Sequence, residues 1–357
     1  MTERPDLRAL SFEALAGKLT ELGEPSYRAA QLYSWLHPSQ GGGAISFSEM
    51  TNLSKQLRRT LEENFTLTVL SPVETLISRD GTRKYLFGLA DGNVIETVYM
   101  RYRFGVSICV SSQVGCRRGC SFCASTIGGC VRDLTAGEML EEIAAVERDT
   151  GERAAHVVVM GSGEPFDNYE QVMCFLRLLT DGRGRALGAR HITVSTCGVV
   201  PGIERFADEG MQVGLAISLH APEQELRKRL MPVAGDYDLD MLMTACEKYY
   251  AKTGRQLTFE YALIAGVNDN AAETERLAEL LSSRQFDCMV NLIPVNPVRE
   301  RGYAPGNRTS VREFQKRLEK HGIHATIRRE LGGDIDGACG QLRRRYTDQI
   351  NREVGVC

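Results

Sequence analysis

The segment VGCRRGCSFCAS, residues 114–125, brings three cysteines close enough together to bind one metal centre, and we call it the cysteine loop. Cys116, Cys120 and Cys123 have the spacing C-x3-C-x2-C, whereas zinc ribbons use paired C-x2-C units and ferredoxins use four cysteines in other spacings. A [4Fe–4S] cluster held by only three cysteines leaves one iron open to an outside ligand, as in a catalytic centre. The spacing therefore favours a catalytic iron–sulfur cluster. A structural zinc site with a fourth ligand from elsewhere in the chain is the alternative.

Two cysteines outside this loop differ in their surroundings. Cys109 lies in the apolar run SICVSS, where the ordinary interpretation is a small buried core residue. Cys339 lies near the C-terminus in GGDIDGACGQL, with glycines on both sides. Glycines permit a close backbone approach or a mobile loop, neither of which a core cysteine needs. The local sequence therefore predicts a reactive thiol at Cys339.

Polar motifs stand at the ends of four predicted strands. Taken singly, each is most often a turn or capping residue. Barrels of alternating strands and helices place their chemistry at the carboxyl ends of the strands, so the shared position of these motifs predicts one binding site. The motifs are GSGEP at residues 161–165, Ser195 in VSTCG, Ser218-Leu219-His220 in AISLHAP, and Asn296 in NLIPVNP.

The elements that position these motifs alternate between strand and helix from about residue 104 onward. Seven short apolar runs are predicted to be strands: VSICVSS, HVVVM, ITVST, VGLAISL, LTFEYALI, MVNLIPV and HATIRR. Capping boxes predict one helix that opens at Thr135 and ends before Gly151, and another that opens at Ser310 and stops at Gly322. Continuous apolar strands between helices indicate a parallel sheet with about six βα units. The periodicity fits an open or closed α/β barrel and a doubly wound sheet equally.

The N-terminal part of the chain has a different pattern. Apolar residues recur at helical spacing in FEALAGKLTELG, YRAAQLYSWLH and EMTNLSKQLRRTLEENF, which predicts a small helical accessory domain over residues 1–65. Residues 66–103 are predicted to form a linker and a β-hairpin extension, because RKYLFGLADGNVIETVYMR holds two extended runs around Asp91-Gly92. Residues 104–345 are then the α/β barrel domain and residues 346–357 a C-terminal tail.

One face of the second hairpin strand carries a carboxylate. Val94, Glu96, Val98 and Met100 share this face, because strand side chains alternate with a period of two. A carboxylate on an otherwise apolar face either reaches solvent at a sheet edge or acts as an acid in a pocket. The pattern leaves both interpretations open.

The composition is that of a globular protein with a large core, since 43% of the 357 residues are hydrophobic. With a net charge of −3, any RNA-binding surface must come from local clusters, and residues 299–329 hold nine Arg or Lys against three Asp or Glu. A smaller cluster is Lys55, Arg58 and Arg59.

The charged N-terminus, and the lack of any apolar run near ~18 residues, predict a cytoplasmic protein. In the reducing cytosol, the 11 cysteines favour metal or redox chemistry over a disulfide framework.

In their order along the chain, seven motifs resemble the RlmN/Cfr family of radical S-adenosylmethionine RNA methyltransferases: SICVSSQVGC-x3-C-x2-C, MGSGEP, STCGVVPGI, SLHAP, GVND, NLIPVNP and GGDIDGACGQL. Two departures are small: Gly337 replaces the usual Ala, and Ser162 replaces Met in a turn expected to act through its backbone and Glu164. The resemblance covers nearly the whole chain and implies a partial, TIM-like (β/α)6 barrel with a [4Fe–4S] cluster on the cysteine loop. The residues it implies for S-adenosylmethionine binding are Gly163, Glu164, Ser195, Ser218, Leu219, His220 and Asn296.

The resemblance also implies a reaction. Cys339 carries a methyl group as S-methylcysteine, a radical derived from a second S-adenosylmethionine activates that methyl group, and its carbon adds to C2 of an adenine. Cys109 then forms a transient disulfide with Cys339, and Glu96 is the proton acceptor. The implied substrates are an adenine in the peptidyl-transferase region of 23S rRNA and the adenine 3′ of the tRNA anticodon. An electron donor such as flavodoxin or ferredoxin and a monomeric protein are also expected.

Two alternatives stay open from the sequence. A Cfr-type enzyme would methylate C8 of the same rRNA adenine with the same catalytic residues, although Pro294 in NLIPVNP and the motif LAISLHAP favour C2. If the cysteine loop bound zinc, the chain would instead be a non-catalytic, zinc-stabilised RNA-binding protein.

Overall fold

A ten-stranded mixed sheet runs through the part of the chain that the computed structural model describes, residues 4–298, 300–335 and 341–353. Its ten strands are β1 Ser71–Ile77, β2 Arg83–Gly88, β3 Val94–Tyr102, β4 Gly105–Val110, β7 Ala154–Val159, β8 Ile192–Thr196, β9 Gly214–Ser218, β10 Leu257–Leu263, β11 Cys288–Pro294 and β12 His324–Ile327. β5 Gln113–Gly115 and β6 Cys130–Asp133 form a separate two-stranded sheet. The α-helices are α1 Phe12–Glu21, α2 Tyr27–Leu36, α3 Lys55–Asn64, α4 Ala136–Thr150, α5 Tyr169–Thr180, α6 Val200–Asp208, α7 Gln224–Leu230, α8 Leu239–Thr253, α9 Ala271–Ser282, α10 Arg308–Lys320 and α11 Gln341–Glu353.

Seven strands of this sheet are parallel and follow one another along the chain. β4 pairs with β7, and β8, β9, β10, β11 and β12 follow in that order. Helices lie between consecutive strands, so the predicted α/β class with six βα units is confirmed. β4 pairs with β3 on its other side and β12 is the last strand of the sheet, so the barrel is not closed. Cys109 on β4 and Arg328 after β12 line the same cavity, which shows that the sheet curves into a partial barrel.

The helix boundaries agree with the sequence at α4 and differ at α10. Thr135 and Glu138 exchange the two hydrogen bonds of the predicted capping box, and α4 ends at left-handed Gly151. The predicted start of α10 at Ser310 is wrong, because the side chain of Asn307 accepts from the Ser310 N–H at 2.8 Å and caps the helix. Asn caps a helix as well as Ser does, so α10 begins three residues earlier.

In the described part of the chain, no helix is long and apolar enough to cross a membrane.

The three helical segments predicted near the N-terminus are α1, α2 and α3. Ser11 caps α1 and Ser54 caps α3, each accepting from a backbone N–H in the first turn. The third helix therefore starts at Lys55, later than the periodicity suggested. Leu15 and other buried residues of these helices belong to the same hydrophobic core as the barrel. The division into domains at residue 65 stays a prediction.

The predicted hairpin is formed by β2 and β3, with Gly92 at φ +83° in the turn, a conformation that glycine adopts readily. β1 adds a third antiparallel strand where the sequence predicted a linker. β1 lies at the edge of the sheet and leaves Val73 and Ile77 exposed. An edge strand without a buried face gives little periodic signal, which is why the sequence did not reveal it.

A buried arginine ties the N-terminal segment to the barrel. The guanidinium of Arg8, which is 1% exposed, donates to the carbonyl oxygens of Leu36 at 3.0 Å, Ala44 at 2.8 Å and Thr68 at 3.1 Å. Its Nε also lies 3.2 Å from a carboxylate oxygen of Glu141 on α4. Burial of a charge is costly unless the charge is paired and hydrogen-bonded, and here it is both.

Arg8→Met should therefore lower the free energy of unfolding by roughly 3–5 kcal/mol, because it removes one of the two cations paired with the buried Glu141 carboxylate and the donor of three carbonyl oxygens. The matched control is Arg4→Met, since Arg4 is exposed and donates only to the carbonyl of Glu62. We expect the control to change the free energy of unfolding by at most about 0.5 kcal/mol. Denaturant titration of both variants measures the difference, and equal stabilities would refute the role given to Arg8.

Candidate active site

Backbone contacts shape the cysteine loop at the base formed by β5 and β6. Gly115 has φ +86°, and a Cβ there would lie 2.1 Å from the carbonyl oxygen of Gly129, so only glycine fits. The N–H of Cys116 donates to the same carbonyl at 3.0 Å. The hydroxyl of Thr126 donates to the carbonyl oxygens of the other two loop cysteines, at 3.0 and 3.2 Å. These bonds fix the backbone and leave the three thiols available for a ligand.

The cysteine loop and the strand ends surround one cavity of about 240 Å³, which we call the cofactor cavity. All three loop cysteines line it. The residues predicted for S-adenosylmethionine binding also line it, except Leu219. The Leu219 side chain is fully buried in the hydrophobic core, because side chains alternate and its two neighbours point to the cavity. The predicted residues in the cavity wall are Gly163, Glu164, Ser195, Ser218, His220 and Asn296.

The turn after β7 lets the backbone approach the loop after β4 closely. Gly163 has φ +115°, and a Cβ there would lie 2.5 Å from the Ser112 hydroxyl and 2.8 Å from the Gln113 backbone nitrogen. Ser162 uses its backbone, since its carbonyl oxygen accepts from the N–H groups of Ser112 at 2.8 Å and Gln113 at 3.1 Å. A Ser in place of the usual Met at position 162 therefore leaves these bonds intact.

Glu164 is held in a single orientation at the cavity wall. Its Oε1 accepts from the Phe166 N–H at 3.0 Å and its Oε2 from the Cys197 N–H at 2.7 Å. Burial raises the pKa of Glu164 above its ordinary value. A carboxylate can accept more than the two backbone hydrogen bonds found here, so Glu164 is a candidate acceptor for an ammonium donor in the cavity.

His220 lines the cavity as a neutral imidazole. Its Nδ1 accepts from the N–H of Ala262 at 2.9 Å, which places the ring proton on Nε2. Burial lowers the pKa of His220 to about 3, so the ring carries no charge at neutral pH. The ring meets Phe122 of the cysteine loop edge to face, with centroids 4.8 Å apart. His220 therefore links the end of β9 to the cysteine loop and offers one N–H donor.

Glu260 on β10 is a cavity residue that the sequence analysis missed. Its Oε2 accepts from the hydroxyl of Ser195 at 2.8 Å and from that of Ser218 at 3.5 Å. Both predicted serines are thus oriented by one carboxylate. The signal was a single charged residue inside the apolar run LTFEYALI, which overall hydrophobicity hides.

The donor set fits a cluster better than a single ion. In the described ranges, no three His, Cys, Asp or Glu side chains are arranged to hold one metal ion. A cubane cluster binds each cysteine through a different iron, so its ligands need not converge on one point. Burial raises the pKa of the Cys116 thiol to about 12, and a bound metal centre supplies the positive charge that deprotonates such a thiol. Cys116, Cys120 and Cys123 are therefore the residues that would hold a [4Fe–4S] cluster.

A second cavity of about 410 Å³, the substrate cavity, adjoins the first. It contains Cys109, and its walls at Ile293, Asn296 and Arg328 are shared with the cofactor cavity. Cys339 lies outside the described residues. The described chain just before and just after residues 336–340 lines the substrate cavity, at Gly332–Asp334 and at Gln341.

Glu96 is buried and bound at both carboxylate oxygens. Its Oε2 lies 3.1 Å from the ammonium of Lys84, which is 0% exposed, and its Oε1 accepts from the Arg343 N–H at 2.6 Å. Arg343 is in the first turn of α11, so Glu96 holds the start of the helix that follows the Cys339 segment. The interpretation of Glu96 as an edge residue in solvent is therefore wrong, whereas its role as proton acceptor stays a prediction.

The predicted positive cluster lies along α10 and at the substrate cavity. Arg308, Arg312 and Lys316 are exposed on α10. Arg328 and Arg329 are exposed and line the substrate cavity, and Arg299 lies outside the described residues. Basic side chains beside a cavity can hold the phosphates of a nucleic acid while a base enters the cavity.

Comparison with known proteins places the chain in a family. Residues 110–280 match the radical SAM superfamily, and residues 5–67 match the N-terminal domain of the ribosomal RNA large subunit methyltransferase family. A "Probable dual-specificity RNA methyltransferase RlmN" of Lachnospira eligens is 50% identical, covering 98% of this chain and 99% of its own. The chain belongs to the RlmN family. A protein of the same description from Geobacillus kaustophilus is 51% identical, covering 98% of this chain and 95% of its own.

A solved relative of the RlmN-family chain supports the same assignment. The crystal structure of a radical SAM methyltransferase from Sphaerobacter thermophilus superposes with a TM-score of 0.90 at 44% identity. The match covers 94% of this chain and 98% of that one. The partial radical SAM barrel is thus confirmed, and the cofactors are a [4Fe–4S] cluster and S-adenosylmethionine.

Gly163→Ala should weaken S-adenosylmethionine binding by at least ~tenfold, about 1.4 kcal/mol, because the added methyl group forces the turn away from the loop after β4. Gly182→Ala is the matched control, since a Cβ at position 182 meets nothing within 4 Å. Isothermal titration calorimetry on anaerobic protein with its cluster measures both affinities. Equal affinities for the two variants would show that the close approach at Gly163 does not shape the site.

Proposed function

We propose that this chain is a radical S-adenosylmethionine methyltransferase that methylates C2 of adenine in 23S rRNA and in tRNA. The observation that carries the proposal is the shared wall between the two cavities. Asn296 and Arg328 face both the cavity with the three loop cysteines and the cavity with Cys109. A group bound in the first cavity therefore lies next to a group bound in the second.

The chemistry of the target explains why a radical route is needed. C2 of adenine lies between two ring nitrogens, is electron-poor and has no lone pair, so it cannot attack the methyl group of S-adenosylmethionine. When bound, the cluster and S-adenosylmethionine supply a carbon radical that abstracts a hydrogen atom. The residues of the chain must then bind the cofactor, present a methyl group and remove a proton.

Residues of the cofactor cavity are proposed to orient S-adenosylmethionine. Glu164 accepts a hydrogen bond from the amino group of the methionine part, using the lone pairs left free by its two backbone bonds. Ser195 and Ser218, with their protons directed to Glu260, present oxygen lone pairs to the cavity. His220 offers its Nε2–H, and Asn296 closes the wall toward the substrate.

Cys339, Cys109 and Glu96 are proposed to carry the methyl group and to handle the proton, and Cys109 lines the substrate cavity. Cys339, as a thiolate, attacks the methyl carbon of one S-adenosylmethionine, since thiolates are strong nucleophiles. The bond from this carbon to the sulfonium sulfur breaks, S-adenosylhomocysteine leaves, and the methyl group stays on the enzyme as S-methylcysteine. Once the activated carbon is bonded to C2, the radical adduct loses one electron to the redox chain that supplied it and loses its C2 proton, with Cys109 assisting removal of the proton. The Cys109 thiolate then bonds to the Cys339 sulfur, the bond from this sulfur to the transferred carbon breaks, and that carbon takes up a proton to become the methyl group of the released adenine. Glu96, ion-paired with Lys84, is the carboxylate proposed as proton acceptor.

The substrate and its surroundings complete the proposal. Exposed basic residues on α10 and beside the substrate cavity bind RNA phosphates, and the target base is unstacked to enter. Methylation of C2 is proposed over C8 because Pro294 and the motif LAISLHAP resemble the C2 enzymes and the curated relatives carry the RlmN name. The proposal includes a cytoplasmic monomer that receives its electrons from a flavodoxin or a ferredoxin.

Nucleoside analysis tests the proposed reaction. RNA from a host that lacks its own enzyme and expresses this chain should contain 2-methyladenosine, detected by mass spectrometry of digested rRNA and tRNA. Cys339→Ala should abolish the product while the protein keeps its cluster and its affinity for RNA. Cys288→Ala is the matched control, because Cys288 lies at the opposite end of β11 from the site. The appearance of 8-methyladenosine, or methylation by Cys339→Ala, would contradict the proposal.

A further inference from the structure

Arg227 on α7 is a buried cation with few partners. It is 0% exposed, and its Nη2 donates to the carbonyl oxygen of Cys197 at 2.8 Å. Its Nε and Nη1 are buried and have no hydrogen-bond partner among the described residues. Arg227 also forms none of the ion pairs found in that part of the chain. This differs from Arg8, which is equally buried but has three carbonyl acceptors and a carboxylate.

Such an arrangement is unfavourable unless a negative group compensates it. A buried charge costs several kcal/mol, and an arginine stays protonated rather than losing its charge. Two unsatisfied donors add the penalty of unmade hydrogen bonds. The position of Arg227 therefore indicates an anionic group that the folded apoprotein does not itself provide.

The surroundings of Arg227 point to the cysteine loop. The backbone at the end of α7 is bound to this loop, since the Ser121 N–H donates to the Leu230 carbonyl at 2.8 Å. The carbonyl that Arg227 binds belongs to Cys197, whose N–H donates to Glu164 in the cofactor cavity. Arg227 and the loop cysteine Cys120 are thus connected through the backbone of α7 and of the cofactor cavity wall, and both are buried.

We propose that Arg227 is the fixed counter-charge of the iron–sulfur cluster and sets its reduction potential. Three thiolates give the bound cluster a net negative charge, and reduction by one electron makes it more negative. A buried cation nearby stabilises the reduced state more than the oxidised state, because Coulomb interactions are strong where water is excluded. Net charge around a cluster is one of the factors that set its potential. Arg227 is thus a positioning residue that eases acceptance of the electron by the cluster.

Potentiometric titration followed by electron paramagnetic resonance tests the inference, which rests on the cofactor assignment. In Arg227→Met the equilibrium constant for reduction should fall about tenfold, a shift of about 59 mV to more negative potential for one electron. Arg227→Lys keeps the charge and should stay close to the wild-type value. Arg229→Met is the matched control, because Arg229 lies on the same helix but is exposed, and it should not shift the potential.

Thermal unfolding gives a second readout that a merely structural arginine would not produce. In the iron-free protein, Arg227→Met should unfold at a higher temperature than the wild type, because an uncompensated buried charge is removed. In the protein with its cluster, the same variant should unfold at a lower temperature than the wild type. A structural role alone predicts destabilisation in both forms.

The results that would overturn the role of Arg227 differ from those that would overturn the cofactor assignment. A wild-type potential in both Arg227→Met and Arg227→Gln, or destabilisation of the iron-free form by both, would overturn the role of Arg227. A wild-type protein that binds no iron would instead overturn the cofactor assignment. Arg227→Gln serves where Arg227→Met does not fold, since glutamine keeps a donor for the Cys197 carbonyl without the charge.

Discussion

The site depends on placing three thiolates inside a protein wall that by itself favours neutral thiols. Burial alone raises the pKa of the Cys116 thiol to about 12, so the charge at the cysteine loop must be balanced from within the site. The iron of a cluster would supply most of that balance, and the proposed counter-charge Arg227 is buried on the helix whose end is hydrogen-bonded to the same loop. If three thiolates rather than four hold the cluster, as we propose, one iron would remain for S-adenosylmethionine.

The carboxyl ends of the parallel strands place the other residues of the site beside the cysteine loop. Since their carboxyl ends meet at one edge, residues as distant in sequence as Glu164, His220 and Asn296 reach one cavity. The opening between β4 and β12 then gives the substrate cavity its place beside the cofactor cavity. Glu96 holds the first turn of α11 and thereby fixes one end of the segment that contains Cys339.

How much the sequence reveals depends on the range of the interactions involved. The strand runs, the capping box at Thr135 and the cysteine spacing are local, so they were predicted. The true cap of α10 at Asn307 was missed because the capping-box pattern that begins at Ser310, three residues later, is also a signal for the start of a helix. Arg227 was missed because its importance comes from its partner Cys197 on another loop, which no local pattern contains. Glu260 had a local signal, a charge inside an apolar run, but its role depends on serines of two other strands. Leu219 was predicted from a motif; its side chain lies in the core just beyond the end of β9, and its role in cofactor binding stays a prediction.

The central claim is that the three-cysteine loop leaves one iron open to S-adenosylmethionine. Mössbauer spectroscopy of anaerobic, iron-57-labelled protein tests it directly. We predict about four irons per chain, one of which changes its isomer shift when S-adenosylmethionine is added while the others do not. The claim would be contradicted by a colourless protein that contains zinc, or by four irons whose isomer shifts do not change when S-adenosylmethionine is added.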